Sequence, residues 1–159
     1  MPHITPQTFY DSQIGMLLGR SAILKDRLLD KHLEAYGLTA AQFKVLIIMA
    51  RWNVDTPAEL CRHLALDSGS MTRMLGRLEQ KQLIVRRRSD TDRRQVHIVL
   101  AAAGQALAQR FPHIGAAAMN EFVGVLESSE LTELERILSK ILTHAGDRAV
   151  CWSPGDIDK

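Results

Sequence analysis

The chain has 159 residues, of which 46% are hydrophobic and 24% are charged, and its formal net charge is +2 at pH 7. These values are typical of one compact globular domain, or of a small domain with an accessory helical part. No stretch approaches about 18 consecutive apolar residues, so no transmembrane helix is expected. The N-terminus also lacks the pattern of a secretory signal. The two cysteines, Cys61 and Cys151, are too few for a disulfide framework and favour a reducing, cytoplasmic location.

The small net charge hides a strong asymmetry along the chain. Residues 60–97 contain nine Lys/Arg and four Asp/Glu, a net charge of +5, so the rest of the chain carries −3. A basic centre between acidic ends indicates that the centre meets nucleic acid and that the ends have another task.

The N-terminal third predicts two helices. Apolar residues recur at three- and four-residue steps from about residue 8 to residue 36, which is typical of an amphipathic helix, and Gly37 is a natural stop for it. Thr39 and Gln42 match a capping box. The helix that they open is apolar on nearly all sides and is therefore expected to be buried.

Residues 56–81 predict two more helices joined by a tight turn. Thr56, Pro57 and Glu59 form a capping box with proline at the first helical position. The second helix is expected from about Ser68 to Lys81. Its inner face carries Met71, Leu75 and Leu78, and its outer face carries Ser70, Thr72, Arg73, Arg77 and Gln80.

Five arginines and two aspartates lie within residues 86–94, between the two arms of a predicted hairpin, 83–85 and 96–100. An arginine cluster at a hairpin turn is poorly placed to build a core. It is well placed to reach a polyanion, because the guanidinium is permanently charged and its planar fork matches phosphate oxygens. Helix, turn, helix and basic hairpin together predict a winged DNA-binding module.

The C-terminal part predicts a helix from 101 to about 126, a last helix from about 128 to 144, and a fraying tail. The outer helices have apolar stripes but no local partner large enough to cover them. We expect them to pack on each other and on a second copy of the chain, as a two-fold dimer on a pseudo-palindromic DNA site requires. The expected organisation is an N-terminal dimerisation helix (1–38), a winged helix-turn-helix domain (39–100), C-terminal dimerisation helices (101–145) and a flexible tail (146–159). The predicted fold class is all-α with a small β-hairpin wing.

Ser68 and Ser70 open the second helix of the motif, where small hydroxyl residues let the helix start approach phosphates closely. Arg73, one turn further on, is suited to a guanine edge. In the alternative interpretation Ser68 only caps the helix and Arg73 is a solvated surface residue. The preceding helix and the basic hairpin favour the DNA interface.

The tip of the hairpin has two available tasks. Arg93 or Arg94 can enter a minor groove, while Asp92 holds the arginine in position through a charge-assisted hydrogen bond. The alternative is a solvated hairpin with local ion pairs, which contribute little individually. Five arginines concentrated in one loop favour the first interpretation.

Residues 75–86 (LGRLEQKQLIVR), 90–94 (DTDRR), 99–104 (VLAAAG) and 70–75 (SMTRML) resemble the MarR family of winged helix-turn-helix regulators. The resemblance extends over residues 8–145 in element order. It implies that Arg94 enters the minor groove, that Asp92 positions it, and that Ser70, Thr72 and Arg73 face the major groove. The full set of expected DNA contacts is Ser68, Ser70, Thr72, Arg73, Arg77, Arg86, Arg88, Asp92, Arg93 and Arg94.

The chain departs from that family at three positions. Gln82 stands where the family usually has glycine, so the turn into the wing is expected to differ. Thr91 replaces a common proline, which should leave the wing more flexible. Ala101 replaces a frequent threonine and removes a helix cap. None of these departures changes the expected DNA contacts.

Members of the family often bind small aromatic or phenolic acids in a cleft between the dimerisation helices and the winged module. Such a ligand needs a cation or hydroxyl for its anion and apolar walls for its ring. Arg20, Tyr36, Phe43 and His113 are the candidates in this chain. In the alternative interpretation Arg20 is a surface or interface ion-pair partner and the other three belong to the core.

The remaining chemistry-bearing residues predict neither a metal site nor catalysis. Cys61 is expected to be a small buried hydrophobe, and Cys151 is a candidate for an intersubunit disulfide only on oxidation. The six histidines lack metal-ligand spacing, so a zinc site requires long-range convergence, and no cofactor is expected. No nucleophile elbow, glycine-rich phosphate loop or HExxH motif occurs, so an enzyme is not expected.

The sequence therefore predicts a homodimeric, sequence-specific transcription regulator, a repressor that a small aromatic acid-like ligand releases from double-stranded DNA. Two alternatives stay open. One is a winged module that docks an acidic protein partner, and the other is a regulator that does not respond to a ligand.

Overall fold

The computed structural model describes residues 3–88 and 96–147, which form seven α-helices and one two-stranded antiparallel sheet. The predicted fold class, all-α with a β-hairpin, is confirmed. The elements are α1 (Ile14–Leu33), α2 (Ala40–Trp52), α3 (Pro57–Leu64), α4 (Ser68–Gln80), β1 (Ile84–Arg88), β2 (Val96–Leu100), α5 (Ala102–Ala108), α6 (Phe111–Val123) and α7 (Ser128–His144).

The N-terminal α-helix is shorter at both ends than the predicted span of residues 8–36, and 3₁₀ turns occupy most of the difference. The α-helix proper is Ile14–Leu33, and single 3₁₀ turns, Phe9–Asp11 and Glu34–Tyr36, flank it. Gly37 has φ 61°, a left-handed conformation that glycine adopts without a Cβ clash. The capping box that opens α2 is present: Thr39 Oγ1 accepts from Gln42 N–H and Gln42 Oε1 accepts from Thr39 N–H, both at 3.3 Å.

The start of α3 is a variant of the predicted capping box. Thr56 Oγ1 accepts from the Glu59 backbone N–H at 3.3 Å, as expected. The Glu59 carboxylate accepts from the Thr56 hydroxyl at 2.9 Å. Ala65, with φ 50°, ends the helix and turns the chain toward α4.

The core lies where α2, α3, α4 and the base of the hairpin meet, with α1 and α6 packed beside it. Phe43 on α2 and Phe111 on α6 meet edge to face, with ring centroids 5.0 Å apart. α1 packs along α6, so the predicted contact between the N- and C-terminal helices is present within one chain. The largest fully buried side chains are Leu33, Leu46, Leu60, Met71, Leu75, Leu78, Ile84, Ile98 and Val45.

The hairpin pairs Ile84 with Leu100 at its base and Arg88 with Val96 at its far end. The Asp55 carbonyl, in the α2–α3 loop, accepts from the Ile98 N–H at 2.6 Å and ties β2 to the helical core. Gln82, where a glycine is usual, has φ 57° and so bears the strain of a left-handed turn that glycine avoids.

One predicted helix is wrong in its extent. The stretch from 101 to about 126 is two helices, α5 and α6, separated at residues 109–110. Pro112 explains the break, because proline has no N–H to donate and its ring clashes with the carbonyl four residues earlier in a continuous helix. It is tolerated in the first turn of a new helix, where it stands. Ala101 caps α5 without a side-chain hydrogen bond, as its departure from the family pattern predicts.

α7 is amphipathic, but none of its residues, all within the described part of the chain, is buried. Its N-terminus is fixed by Glu127, whose N–H donates to Glu130 Oε2 at 2.9 Å. The N-terminal half of α1 is equally uncovered, and Ile23 is 71% exposed. The exposed apolar side chains of the two helices are Ile14, Met16, Leu17, Leu18, Ile23, Leu24, Leu134, Ile137, Ile141 and Leu142.

Among the described residues, no single helix is long and apolar enough to cross a membrane. One bent pair of segments, Phe9–Tyr36 with Ala40–Trp52, has the required length and composition. That is weak evidence, because most residues of α2 are buried in the core, and core helices have the same composition.

Gly104 lies on α5, where the helix closely approaches the backbone that leads into β1. A Cβ at this position would lie 2.1 Å from the Leu83 carbonyl oxygen. We therefore expect Gly104→Ala to destabilise the fold by about 1–3 kcal/mol, measured by denaturant unfolding. Gly76→Ala is the matched control, because its Cβ would meet nothing within 4 Å and should stabilise α4 by roughly 0.5–1 kcal/mol. Equal effects would show that the approach is not tight.

Candidate nucleic-acid interface

The N-terminus of α4 is capped by Asp67 and not by Ser68, which the sequence left as the capping alternative. Asp67 Oδ1 accepts from the Ser70 N–H at 2.8 Å, and Oδ2 accepts from the Ser70 hydroxyl at 2.7 Å. These hydrogen bonds, the one from the Ser70 hydroxyl first, hold the pKa of the Asp67 carboxyl below its ordinary value. Because the Ser70 N–H donates to the Asp67 carboxylate, it does not point toward a DNA phosphate.

A short chain of hydrogen bonds orders the outer face of α4. Ser70 Oγ, which donates to Asp67, accepts from Arg73 Nη2 at 3.0 Å. Thr72 Oγ1 donates to the Ser68 carbonyl at 2.8 Å. The Arg73 side chain therefore points toward the N-terminus of α4, and its guanidinium lies about one turn before its own Cα. Its guanidinium is pre-ordered at the end of α4 that enters a groove in helix-turn-helix proteins.

The structure separates the two faces of α4 as the sequence predicts. Met71, Leu75 and Leu78 are fully buried. Ser68, Thr72, Arg73 and Arg77 are exposed, and Ser70 is half-buried. All five predicted contact residues of α4 thus lie on or beside one accessible surface.

The arginines of β1 alternate between the two faces of the hairpin. Arg86 and Arg88 share a face, and Arg87 lies on the other, opposite His97. Arg86 Nε is 3.2 Å from Glu79 Oε2 of α4, so this arginine joins β1 to α4. All three are exposed. The predicted contacts Asp92, Arg93 and Arg94, together with Thr91, lie outside the described residues.

A brace between β2 of the wing and the α2–α3 loop was not predicted. His97 Nδ1 lies 2.8 Å from Asp55 Oδ2, beside the backbone bond from Ile98 N–H to the Asp55 carbonyl. The two residues are 42 positions apart, and no local sequence pattern reports such a contact. The brace fixes the wing to the loop in front of α3, and so to the other half of the motif.

The four ligand candidates occupy different surroundings. Phe43 is 5% exposed and packs on Phe111 in the core, whereas Tyr36 and His113 are exposed. Arg20 lines a cavity of about 290 Å³ whose other walls are residues of α1 itself, Leu17, Ser21, Ile23, Leu24 and Arg27. The other three candidates do not line that cavity. Within one chain, therefore, the four predicted ligand-binding residues do not share a site.

A larger cavity, of about 450 Å³, lies between α2, β2 and α5. Its apolar walls include Met49, Val54 and Ile98, and its polar groups come from Asn53, Asp55 and Gln105. The described residues that line it include no Lys or Arg, so it offers an organic anion no counter-charge.

Cys61 is a half-buried free thiol packed against the core, close to the small hydrophobe that was predicted. Cys151 lies outside the described residues. Within residues 3–88 and 96–147, no group of three His, Cys, Asp or Glu side chains could hold a metal ion.

Comparison with known proteins identifies the family. The sequence model of the MarR family matches residues 38–96. The multiple antibiotic resistance protein MarR of Escherichia coli is 35% identical over 130 residues, which are 81% of this chain and 90% of that protein. The chain belongs to the MarR family. The resemblance read from the α4 and wing segments is therefore confirmed.

Solved structures agree with this assignment. A variant of Escherichia coli MarR in complex with operator DNA matches with a TM-score of 0.76 and 34% identity, covering 87% of this chain and 99% of that chain. A MarR family protein of Mycobacterium tuberculosis in complex with salicylic acid matches with a TM-score of 0.67 and 27% identity, covering 82% and 96%. Known members of the family are transcription regulators and not enzymes, in agreement with the sequence-based expectation.

The Asp67 cap predicts a pH-dependent contribution to stability. Because its folded pKa is lowered, the charged cap stabilises the fold fully above the ordinary aspartate pKa and loses that effect as the pH falls through the folded value. Asp67→Ala should lower the melting temperature at pH 7, with a difference from the parent that shrinks in acid. Asp67→Asn is the control, since asparagine also caps helices but does not titrate. A difference that stays constant with pH would contradict this role.

Proposed function

We propose that the chain is a homodimeric, sequence-specific DNA-binding transcription regulator that acts as a repressor. The observation that carries this proposal is the joint exposure of the ordered Asp67–Ser70–Arg73 chain on α4 and of the arginines on β1, with Arg86 tied to Glu79 between them. MarR-family regulators bind operator DNA. In this proposal α4 is the recognition helix, which enters the major groove, and the hairpin is the wing.

The same proposal assigns a task to each segment. Residues 39–100 bind DNA, whereas 1–38 and 101–145 carry the dimer through the exposed apolar side chains of α1 and α7. A dimer places two recognition helices in successive major grooves about one helical turn apart. The predicted tail, 146–159, lies outside the described residues from 148 onward, and access to DNA places the protein in the cytoplasm.

Arg73→Ala should reduce affinity by about 1–3 kcal/mol and relax the base preference, because a guanidinium that reads a base edge contributes that much discrimination. Arg94→Ala should weaken binding and change the preference for A·T-rich flanks. The measurement is competition binding, at one fixed salt concentration, to a duplex that the parent protein selects from a random library. Arg136→Ala, which removes one charge from an ion pair on α7, is the control. If both variants bind like the parent, the contact assignment is wrong.

The same selection separates the regulator from its main alternative. A winged module that docks an acidic protein should select no duplex sequence, and its binding to DNA should depend on salt alone. A regulator should enrich a pseudo-palindromic sequence whose two halves reflect the symmetry of the dimer.

We also propose release from DNA by a small aromatic acid, with Arg20 as its cation and with Tyr36, Phe43 and His113 as further candidates. The support is that a relative is complexed with salicylic acid and that Arg20 lines a cavity on α1. A ligand releases DNA only if it binds the non-binding arrangement of the dimer more tightly than the binding one.

Salicylate should therefore dissociate the selected duplex from the parent, whereas salicylamide, which lacks the carboxylate charge, should not. Arg20→Gln should abolish the effect of salicylate and leave DNA affinity unchanged. Titration followed by fluorescence anisotropy of the labelled duplex measures both. Release of the Arg20→Gln variant at the same salicylate concentration would remove Arg20 from the site. The absence of release from the parent would favour a regulator without a response to this class of ligand.

A further inference from the structure

Lys81 directly follows α4, and its side chain reaches across the molecule to the corner between α1 and α2. Its Nζ donates to the Gly37 carbonyl and, at 2.9 Å, to Gln42 Oε1. These partners are 44 and 39 positions away along the chain. The contact therefore joins the C-terminal end of the recognition helix to the end of the N-terminal dimerisation helix.

The corner that Lys81 reaches is ordered by its own contacts. Gln42 is 4% exposed, and its Oε1 also accepts from the Thr39 N–H. Asp30 of α1 accepts from the Ala40 N–H, at the start of α2, at 2.5 Å. A lysine ammonium that donates to two acceptors of this corner is attached to a fixed point and not to a mobile loop.

Lys81 links α4 directly to the end of α1, whereas apolar packing connects these two helices only through other elements. Within the described part of the chain, the main packing neighbours of α4 are α3 and β1, whereas those of α1 are α6 and α2. The orientation of α4 relative to α1 is otherwise transmitted through α2 and α3. Charge-assisted hydrogen bonds have directional preferences that apolar contacts lack.

We propose that Lys81 is a positioning residue that sets the separation and tilt of the two recognition helices in the dimer. The inference rests on the proposed function, because only a dimer bound to two half-sites has a separation to set. Loss of the link leaves each winged domain able to bind a half-site. However, the two winged domains of the dimer no longer have the separation that lets them bind both half-sites at once. The increase in affinity that comes from linking the two domains is then lost.

The first test compares full and half operator duplexes with Lys81→Met, which keeps the side-chain stem and removes the ammonium. The duplexes are the sequence that the parent selects, its single half-site, and versions with one base pair added to or removed from the spacer. Affinity for the half-site should be almost unchanged. Affinity for the full site should fall about tenfold or more, and the preference for the native spacer should flatten. Lys81→Arg, which keeps donors and charge, should restore both.

Gln42→Met leaves the charge of Lys81 in place and removes one of its acceptors, together with the Thr39 N–H bond of the α2 capping box. It should flatten the spacer preference in the same direction, and the double variant should show less than the sum of the single effects, because both remove one contact. An equal loss on full and half sites in Lys81→Met would make Lys81 an ordinary phosphate contact and overturn the proposal.

A second measurement needs no DNA. Spin labels at Thr72→Cys, with Cys61 and Cys151 replaced by serine, report the distance between the two recognition helices of the dimer. Lys81→Met should broaden or shift this distance distribution, and Lys81→Arg should not. An unchanged distribution overturns the positioning role while leaving the proposed function intact, whereas a parent that selects no duplex sequence contradicts the proposed function itself.

Discussion

The apolar surface that one chain leaves uncovered is the constraint on which the rest of the structure depends. α1 and α7 both carry apolar stripes, yet the structure buries only the C-terminal end of the α1 stripe, at Leu29 and Leu33, and no residue of α7. Burying such surface contributes roughly 25 cal/mol per Å². In the proposed dimer a second copy of the chain removes it from water and, by two-fold symmetry, duplicates the recognition surface.

In the proposed dimer the winged module uses that symmetry for DNA recognition, and polar contacts between separate elements fix its geometry. Glu79 holds Arg86 of the wing against α4, Asp55 holds His97 of β2, and Lys81 ties α4 to the α1–α2 corner. These contacts lie at or near the surface, where single ion pairs contribute little stability. Their effect is geometric, because they fix the relative positions of elements whose apolar packing alone permits small shifts.

The sequence predicted the features that local chemistry decides and missed those that depend on distant partners. The Thr39 cap, the Gly37 stop and the buried face of α4 follow from patterns within a few residues, and the structure has them. The break before Pro112 was missed, although a proline inside a helical pattern often marks a helix end, and the cap by Asp67 was not predicted. The contacts of Lys81 and His97 each join residues about 40 positions apart, which no single-sequence periodicity reports.

Sedimentation velocity measures the mass of the protein in solution and so tests whether two chains pair through α1 and α7. The parent should sediment as a stable species of twice the chain mass of 17.8 kDa. Replacement of both Leu17 and Ile137 by glutamate should give a folded monomer that no longer prefers the selected duplex. A parent protein that sediments as a monomer at micromolar concentration, or a double variant that remains dimeric on its operator, would contradict this pairing.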